Sequence, residues 1–366
     1  MVFDIYFADY LKEFNSMKLE RWNYHWGCVL LGAQYLYEVT HRSIYLESIL
    51  HFGNRYVDED GTIIGFDPNE HNVDLMASGR LLYFLYDYTK EEKYLKGIRT
   101  IRQALDNQPR TSEGNFWHKQ IYPYQVWLDG LYMVQPFYME YEKRFNHKKN
   151  YEDSIRQFKN VRRHLYDEKK KLYYHAYDEK KEMIWADKET GLSPSFWLRS
   201  MGWYLLALCD CYEISDQFEA HVVLGSLLKE AIDGLLNYQD PDSGLFYQLI
   251  DRSDLEGNYL ETSGSAMVSY AILKGCRLGI LDREIYQEKG ARILAALEIT
   301  KTSLQDGSIH LTGTCASAGL GPKDERDGSP EYYLSEAVKD DNAHGVSMCM
   351  MAYSEWLRKE GTYDKA

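Results

Sequence analysis

Two kinds of helical pattern alternate along the chain. In one kind almost every position is apolar or aromatic, as in the stretch that follows Gly130, whereas the other kind has one charged face, as in residues 91–107. A helix that is apolar all round must be buried, and a helix with one charged face must lie at the surface. The apolar stretches begin near Gly27, Gly79, Gly130, Gly202, Gly264 and Gly345, and the amphipathic stretches span residues 4–15, 41–57, 91–107, 151–166, 216–237 and 282–298.

This alternation predicts an all-α fold. Six buried and six surface helices that alternate in sequence close most simply into two concentric rings, an (α/α)6 barrel of six inner and six outer helices. An open solenoid would show uniform repeats and polar capping units, whereas these stretches are unevenly spaced and no capping unit is visible. We therefore expect residues 1–366 to form a single (α/α)6-barrel domain.

The small residue at the start of each apolar stretch predicts close packing where the inner helices converge. The loops that enter the inner helices must then open at one rim of the barrel, and a pocket belongs where they meet. These loops are residues 21–26, 70–76, 117–129, 193–203, 259–263 and 340–344. Short β-prone segments are expected to form hairpins that line the same rim, at residues 172–177, 244–248 and 308–311.

Composition and charge restrict the possible partners. A net charge of −14 argues against nucleic acid and against an anionic membrane surface, because both attract basic proteins. No apolar run approaches ~18 residues and the amino end lacks a basic start, so we expect neither a membrane span nor a signal peptide, and a cytoplasmic location. The six cysteines lack CxxC spacing and are expected to be reduced and buried.

Two aspartates carry the strongest functional signal. Pro123 disfavours helix in the residue before it, so residues 117–125 should form a loop that leads into a helix beginning near Val126. Asp129 then lies in the first helical turn, and Asp74 has the equivalent position in the preceding repeat. Two carboxylates at one rim suit acid and base work, because the ionised one helps the other to keep its proton. The alternative is that each only complements the free amides and the dipole of a helix start.

Cations and aromatic rings accompany these acids. Arg199 lies between Trp197 and Trp203 with no acid in its own loop, so it either grips a carboxylate with two N–H groups or stacks on the rings as a structural residue. His118 and His175 are equally open to a ligand role or a structural hydrogen bond. No spacing is typical of zinc, and the chain has no phosphate loop, dinucleotide fingerprint or G-x-S-x-G elbow. We therefore expect no metal and no cofactor.

Several segments together resemble a known enzyme family. They are NVDLMASGRLLYFLY (72–86), HKQIYPYQVWLDGLYM (118–133), the segment 173–204 with YYHAYDE (173–179) and WADKETGLSPSFWLRSMGWY (185–204), YLETSGSAMVSYAILKG (259–275), HLTGTCASAGLG (310–321) and YYLSEAVKDDNAHG (332–345). Over nearly the whole chain they resemble the unsaturated rhamnogalacturonyl hydrolases, glycoside hydrolase family 105. The resemblance implies an (α/α)6 barrel that handles pectin fragments inside the cell.

The resemblance also implies a substrate and residue roles. The substrate is a di- or oligosaccharide with a 4-deoxy-4,5-unsaturated uronic acid at its non-reducing end, where the C4=C5 bond and the ring oxygen form a vinyl ether. Protonation at C4, addition of water at C5 and opening of the hemiketal expel the neighbouring sugar. By this match Asp129 is the general acid and base, and Asp74 assists. The expected sugar-binding residues are Trp22, Tyr24, His118, Lys119, His175, Trp197, Arg199 and Trp203, together with His344 near the expected pocket.

Three alternatives remain open. An unsaturated glucuronyl hydrolase acts on other lyase products with the same barrel and a similar acid pair. A sugar epimerase would need two histidines placed to move one proton, and no histidine pair has the positional equivalence of the two aspartates. A non-catalytic scaffold would leave the rim without paired carboxylates.

Overall fold

The computed structural model describes residues 2–17, 21–321 and 324–359. Its α-helices are α1 (Val2–Ser16), α2 (Tyr24–Thr40), α3 (Ser43–Tyr56), α4 (Asp74–Ala77), α5 (Arg80–Thr89), α6 (Glu92–Asp106), α7 (Leu128–Phe145), α8 (Tyr151–Leu165), α9 (Leu198–Ile214), α10 (Phe218–Leu236), α11 (Thr262–Arg277), α12 (Arg283–Thr300), α13 (Pro330–Ser335) and α14 (Ala343–Lys359). Its strands are β1 (Gln125–Trp127), β2 (Tyr166–Asp167), β3 (Leu172–Tyr173), β4 (Ala176–Asp178), β5 (Thr302–Gln305), β6 (Ser308–Leu311), β7 (Thr314–Cys315) and β8 (Val338–Lys339).

The inner helices form a closed ring. In order around it they are α2, the α4–α5 pair, α7, α9, α11 and α14, and α14 packs on α2 to close the ring. Helices α1, α3, α6, α8, α10 and α12 pack around the outside. In inner helix α9 every residue from Leu198 to Cys211 is buried, whereas outer helix α6 exposes Lys96 and Arg99. The predicted (α/α)6 barrel is therefore confirmed, and the pattern of apolar positions identified its two rings.

Small residues allow the inner helices to approach one another at the rim. A methyl group added at Gly27 would lie 2.1 Å from Ser78 Oγ, and one added at Gly202 would lie 2.2 Å from Met267 Sδ. Both distances are far below van der Waals contact, so a larger residue would separate neighbouring helices. The expected close packing at the helix starts is confirmed at these two positions.

The second inner helix is divided into α4 and α5. Ser78 and Gly79 separate the two pieces, and the Ser78 hydroxyl donates a hydrogen bond to the Asn23 carbonyl at 2.7 Å. This bond fixes the division against the loop that enters α2. Asp74 is the first residue of α4, and its amide donates to Asn72 Oδ1 at 3.1 Å. The short helix therefore holds Asp74 at the rim.

Short strands line the rim, with three differences from expectation. Residues 172–173 form β3 of the hairpin β2–β3, and residues 308–311 form β6 of the hairpin β5–β6, as expected. Residues 176–177 belong to β4 instead, which pairs with β1. Residues 244–248 form no strand, because Tyr247 makes only an isolated bridge with Leu260. The helix expected near Val126 begins at Leu128, because residues 125–127 pair with β4 instead.

The cysteines and helix lengths can also be compared with expectation. All six cysteines are free and buried, as predicted. Across the part of the chain that the structure describes, each helix is too short or too polar to cross a lipid bilayer.

Candidate active site

Polar side chains meet at the amino ends of the inner helices. Tyr24 is the first residue of α2 and Asp74 the first of α4, while Asp129, Arg199 and His344 are the second residues of α7, α9 and α14. Tyr24 Oη lies 3.1 Å from His344 Nε2, and Tyr24 is within electrostatic range of Asp74, Arg199 and Asp129. The loops that were predicted to share one rim therefore bring these polar side chains into one cluster.

Asp74 is held by a cation. Its Oδ2 lies 2.6 Å from Lys119 Nζ, and its Oδ1 lies 3.3 Å from His118 Nε2. The backbone creates this contact, because the Val73 amide donates to the His118 carbonyl at 3.2 Å and Asn72 bridges to Lys119. Burial alone would raise the pKa of Asp74, but Lys119 and His118 more than offset burial, so the pKa lies below its ordinary value. Asp74 is ionised at neutral pH.

Asp129 has different surroundings. Its Oδ2 lies 3.1 Å from His175 Nε2, but the two atoms are not aligned for a hydrogen bond, and neither has another partner among the described residues. Strand pairing brings them together, because the Leu128 amide donates to the His175 carbonyl at 3.1 Å. The Asp129 side chain is 12% exposed, and His175 is completely buried. Asp129 therefore faces an imidazole and the opening of the rim.

A stack of aromatic rings connects the two acids. The ring of Trp127 stacks on both Tyr122 and His118, with ring centroids 5.0 and 4.4 Å away and nearly parallel planes. On its edge Trp127 contacts His175, whose ring centroid is 5.1 Å away. The indole N–H donates to Gln125 Oε1 at 3.0 Å, which fixes the ring. The chain of contacts runs from Asp74 through His118, Trp127 and His175 to Asp129, so both carboxylates belong to one site.

Three histidines near the rim are neutral at pH 7, namely His118, His25 and His344. Burial lowers the pKa of His118 to about 4, although Asp74 opposes the change. Burial also lowers the pKa of His25 to about 4, and burial together with Arg199 lowers the pKa of His344 well below its ordinary value. Positive charge near the rim is therefore supplied by Lys119 and Arg199 rather than by imidazolium groups.

The Arg199 guanidinium has one nitrogen that bonds to the barrel and one that has no hydrogen-bond partner in the part of the chain that the structure describes. Its Nη1 donates to Ser263 Oγ at 3.1 Å and to the Cys315 carbonyl at 2.7 Å, and the guanidinium lies 4.9 Å from the centroid of Trp197. Glu261 Oε1 is 4.0 Å from Nη1. Nη2 is buried and has no hydrogen-bond partner among the described residues. One N–H face of the fork is thus fixed to the barrel, and Nη2 is the part left for a ligand.

A second aromatic group closes the centre of the barrel. Tyr24, Trp203 and His344 contact one another through their rings, and Trp203 stacks on Tyr132 with centroids 5.0 Å apart. His344 Nδ1 lies 3.0 Å from Asn342 Oδ1, so the imidazole is held on both sides. The three residues form the floor beside the carboxylates.

The prediction for Trp22 needs correction. Trp22 is completely buried, its ring stacks on Phe52 at 5.4 Å, and its indole N–H donates to the Leu75 carbonyl at 2.7 Å. Trp197 and Trp203 are also buried, but their rings contact His175, Tyr24 and His344 of the site, whereas the ring of Trp22 contacts Phe52 and Tyr56. Trp22 instead ties the loop before α2 to α4, so we remove it from the candidate site.

Two residues near the site had no role in the sequence interpretation. Tyr333 on α13 contacts His175 through a hydrogen bond of 2.6 Å. Glu261 caps α11 by accepting the Gly264 amide at 2.6 Å, and it also accepts the Cys315 amide at 3.1 Å. The contacts with His175 and Cys315 have no sequence signal, because these partners are far apart in the chain and follow no repeat.

Other parts of the molecule are weaker candidates. A cavity of about 350 Å³ lies at the opposite end of the inner helices, but its charges are largely paired: Asp210 contacts Arg80 and Lys274, each at 2.7 Å. Within the described residues, no group of three or more His, Cys, Asp or Glu side chains could hold a metal ion. The rim is therefore the place where unpaired polar atoms and two carboxylates coincide.

Comparison with known proteins defines the class of this protein. A family model described as Glycosyl Hydrolase Family 88 matches residues 7–360, nearly the whole chain. A barrel with this rim is therefore that of a glycosidase. The chain belongs to Glycosyl Hydrolase Family 88.

Individual relatives refine this assignment. The chain is similar to a solved glycoside hydrolase from family 105 of C. acetobutylicum ATCC 824, with 40% identity, a TM-score of 0.93, and coverage of 97% of this chain and 99% of that one. It is similar to the protein Atu3128 of Agrobacterium fabrum, with 40% identity over 62% of this chain and 98% of the relative. It is also 26% identical to the unsaturated rhamnogalacturonyl hydrolase YesR of Bacillus subtilis, over 76% of each chain. The family resemblance stated from the motifs is confirmed.

Proposed function

We propose that this protein is an unsaturated rhamnogalacturonyl hydrolase. It removes the 4,5-unsaturated galacturonyl residue from the non-reducing end of rhamnogalacturonan-derived oligosaccharides by hydrating the vinyl ether. The observation that carries the proposal is the different pairing of the two rim carboxylates: Asp74 with Lys119, and Asp129 with His175. The similarity to YesR supports the substrate class.

The different pairing assigns different tasks. Lys119 keeps Asp74 ionised, so Asp74 does not deliver a proton near neutral pH. Asp129 forms no ion pair with Lys or Arg in the described part of the chain, and a carboxyl group free of a fixed cation is suited to gain and lose a proton. Asp129 is therefore the proposed general acid and base. Asp74 contributes negative charge beside the developing positive charge and orients the sugar.

The reaction then follows from the vinyl ether. Protonated Asp129 gives its proton to C4, which leaves positive charge at C5 shared with the ring oxygen. Water adds at C5 and gives a proton to the Asp129 carboxylate, which restores the acid. The hemiketal opens and the neighbouring sugar leaves. The whole reaction uses one carboxyl group and one water molecule.

The cations are proposed to hold the uronate. Arg199 Nη2 is unpaired, and a guanidinium N–H recognises a carboxylate well. Lys119 is the other cation of the rim, and its side chain is 22% exposed. The half-buried ring of Tyr122, which stacks on buried Trp127, offers apolar surface for a sugar ring. The remaining predicted sugar contacts are Tyr24, His118, His175, Trp197, Trp203 and His344.

A substrate panel tests the proposal. The protein is mixed with an unsaturated rhamnogalacturonan disaccharide and, separately, with unsaturated glucuronyl disaccharides, and the ultraviolet absorbance of the C4=C5 bond is followed. We expect the absorbance to fall and rhamnose to be released from the first substrate. Faster turnover of the glucuronyl substrates would instead favour an unsaturated glucuronyl hydrolase. That alternative is kept because this chain is also 26% identical to the unsaturated 3S-rhamnoglycuronyl hydrolase of Formosa agariphila, over 64% of this chain and 58% of the relative.

Two wider expectations belong to this proposal. The first is that residues 1–366 act as one catalytic domain. The second is that the protein works in the cytoplasm on imported fragments, without nucleic acid or membrane partners. Both stay predictions.

A further inference from the structure

Tyr333 is placed to control the chemistry of the site without touching the substrate. It lies on α13, is completely buried, and its hydroxyl is 2.6 Å from His175 Nδ1. The other ring nitrogen of His175 lies 3.1 Å from Asp129 Oδ2. We propose that Tyr333 is a positioning residue that fixes the tautomer of His175, so that the imidazole N–H is on Nε2 and faces Asp129. The inference rests on the proposed function of Asp129.

The direction of the hydrogen bond follows from the partners of the Tyr333 hydroxyl. Burial raises the pKa of Tyr333 well above its ordinary value, so the hydroxyl keeps its proton, and among the described residues His175 Nδ1 is the acceptor within its reach. A neutral imidazole has one donor and one acceptor nitrogen. Because Tyr333 donates to Nδ1, that nitrogen carries no hydrogen, and the ring hydrogen lies on Nε2, which faces Asp129.

Tyr333 is held so that it cannot turn away. The Tyr332 amide donates to Ser329 Oγ at 3.2 Å, which caps α13. The Tyr333 ring stacks on Trp197 with centroids 5.8 Å apart, and its carbonyl accepts from Gln248 Nε2 at 3.4 Å. Gln248 Oε1 accepts the Trp197 indole N–H at 3.1 Å, so Tyr333, Trp197 and Gln248 each contact the other two. The phenol is therefore preorganised toward Nδ1.

The consequence concerns the ionised form of Asp129. In the proposed reaction Asp129 gives its proton to C4 and is a carboxylate until it takes a proton from the attacking water. An Nε2–H beside Oδ2 stabilises that carboxylate, whereas a bare Nε2 would present a lone pair to it. The Nε2–H is off the hydrogen-bond axis in this structure, so a small rotation of either side chain aligns it. Tyr333 itself transfers no proton.

The variant Tyr333→Phe removes only the hydroxyl. Its matched control is Tyr332→Phe on the same short helix, because the Tyr332 hydroxyl bonds to Glu336 and to the Gly319 amide, away from His175. We expect Tyr333→Phe to lower kcat about tenfold and to move the alkaline limb of the pH profile of kcat to higher pH, since Asp129 ionises less readily beside a bare nitrogen. Tyr332→Phe should leave that limb in place. An unchanged limb in Tyr333→Phe overturns the inference.

A second measurement is made on the wild-type protein and needs no substrate. The nitrogen-15 chemical shifts of the His175 ring in the wild-type protein report which nitrogen carries the hydrogen, and the signals are assigned by their loss in His175→Gln. Hydrogen on Nε2 is the expected result, and hydrogen on Nδ1 overturns the inference. If the wild-type protein does not act on unsaturated disaccharides, the proposed function fails, while the tautomer is still decided by these shifts.

Discussion

The variant Asp129→Asn separates a catalytic from a structural role for the central carboxylate. The change exchanges an oxygen for an NH2 group of nearly the same size. Helix α7 has no side-chain hydrogen bond at its N-cap, Trp127, and the described contact of the Asp129 carboxylate is with His175. The expected loss of stability is therefore limited to the interaction with the helix dipole, ~0.3–1 kcal/mol. In a chain of this size that loss moves Tm by less than about 4 °C.

The expected loss of activity is much larger. The amide cannot give a proton to C4 or take one from water, so general acid and base assistance of ~10²–10⁴-fold should disappear. This factor corresponds to about 3–5 kcal/mol of activation free energy. The assay follows initial rates of C4=C5 absorbance loss at saturating unsaturated disaccharide, together with a thermal melt of each protein.

A matched control uses the same substitution at another helix start. Asp282 caps outer helix α12 by accepting the Glu284 amide at 2.9 Å, and Asp and Asn are nearly equivalent in that role. Asp282→Asn should keep wild-type turnover and nearly the same Tm. Wild-type turnover in Asp129→Asn would refute our reasoning, and so would unfolding of that variant, because either result would make Asp129 a structural residue.

Three further variants test separate parts of the account. Arg199→Lys should raise KM more than it lowers kcat, because it removes the unpaired Nη2 that is proposed to hold the uronate in ground and transition states alike; a collapse of kcat at constant KM contradicts this. His118→Gln should flatten the pH dependence of the free energy of unfolding. In the wild-type protein the imidazole of the unfolded chain takes up a proton below about pH 6.5, whereas the folded one does so only below about pH 4. Acidification between these values therefore lowers the wild-type free energy of unfolding by up to ~1.4 kcal/mol per pH unit. Urea unfolding at several pH values measures that slope, and an equal slope in the variant contradicts the assignment. Lys90→Gly should stabilise the protein by ~0.5–1 kcal/mol without changing turnover, since exposed Lys90 ends α5 at a φ of 63°; a lower Tm would count against it.

The sequence was sufficient to predict the rings and the ends of the inner helices that carry function. Apolar periodicity depends on burial along each helix, so it identified α9 as inner and α6 as outer. Pro123 and the following apolar run placed Asp129 in a first helical turn, where the structure has it. The positional equivalence of Asp74 and Asp129 depends on the helical repeat, and that repeat can be recognised in the amino-acid sequence.

Contacts between distant segments could not be predicted in the same way. Tyr333 and His175 are 158 residues apart, and their bond depends on how α13 folds over the rim. The strand β1 forms only because β4 lies beside it, so local propensity favoured helix at Val126. Trp22 lies beside rim residues in sequence, yet the space next to Phe52 buries its ring. In each case tertiary packing decided what the local sequence left open.

The most direct test of the central claim is proton NMR of the reaction on an unsaturated rhamnogalacturonan disaccharide. If Asp129 starts the reaction by protonating C4, the vinyl signal of C4 must disappear at the same rate as the anomeric signals of free rhamnose appear. No released sugar should retain the double bond at any time. Accumulation of a free uronic acid that still contains C4=C5, with rhamnose released at the same rate, would show direct cleavage of the glycosidic bond and would contradict the proposed mechanism.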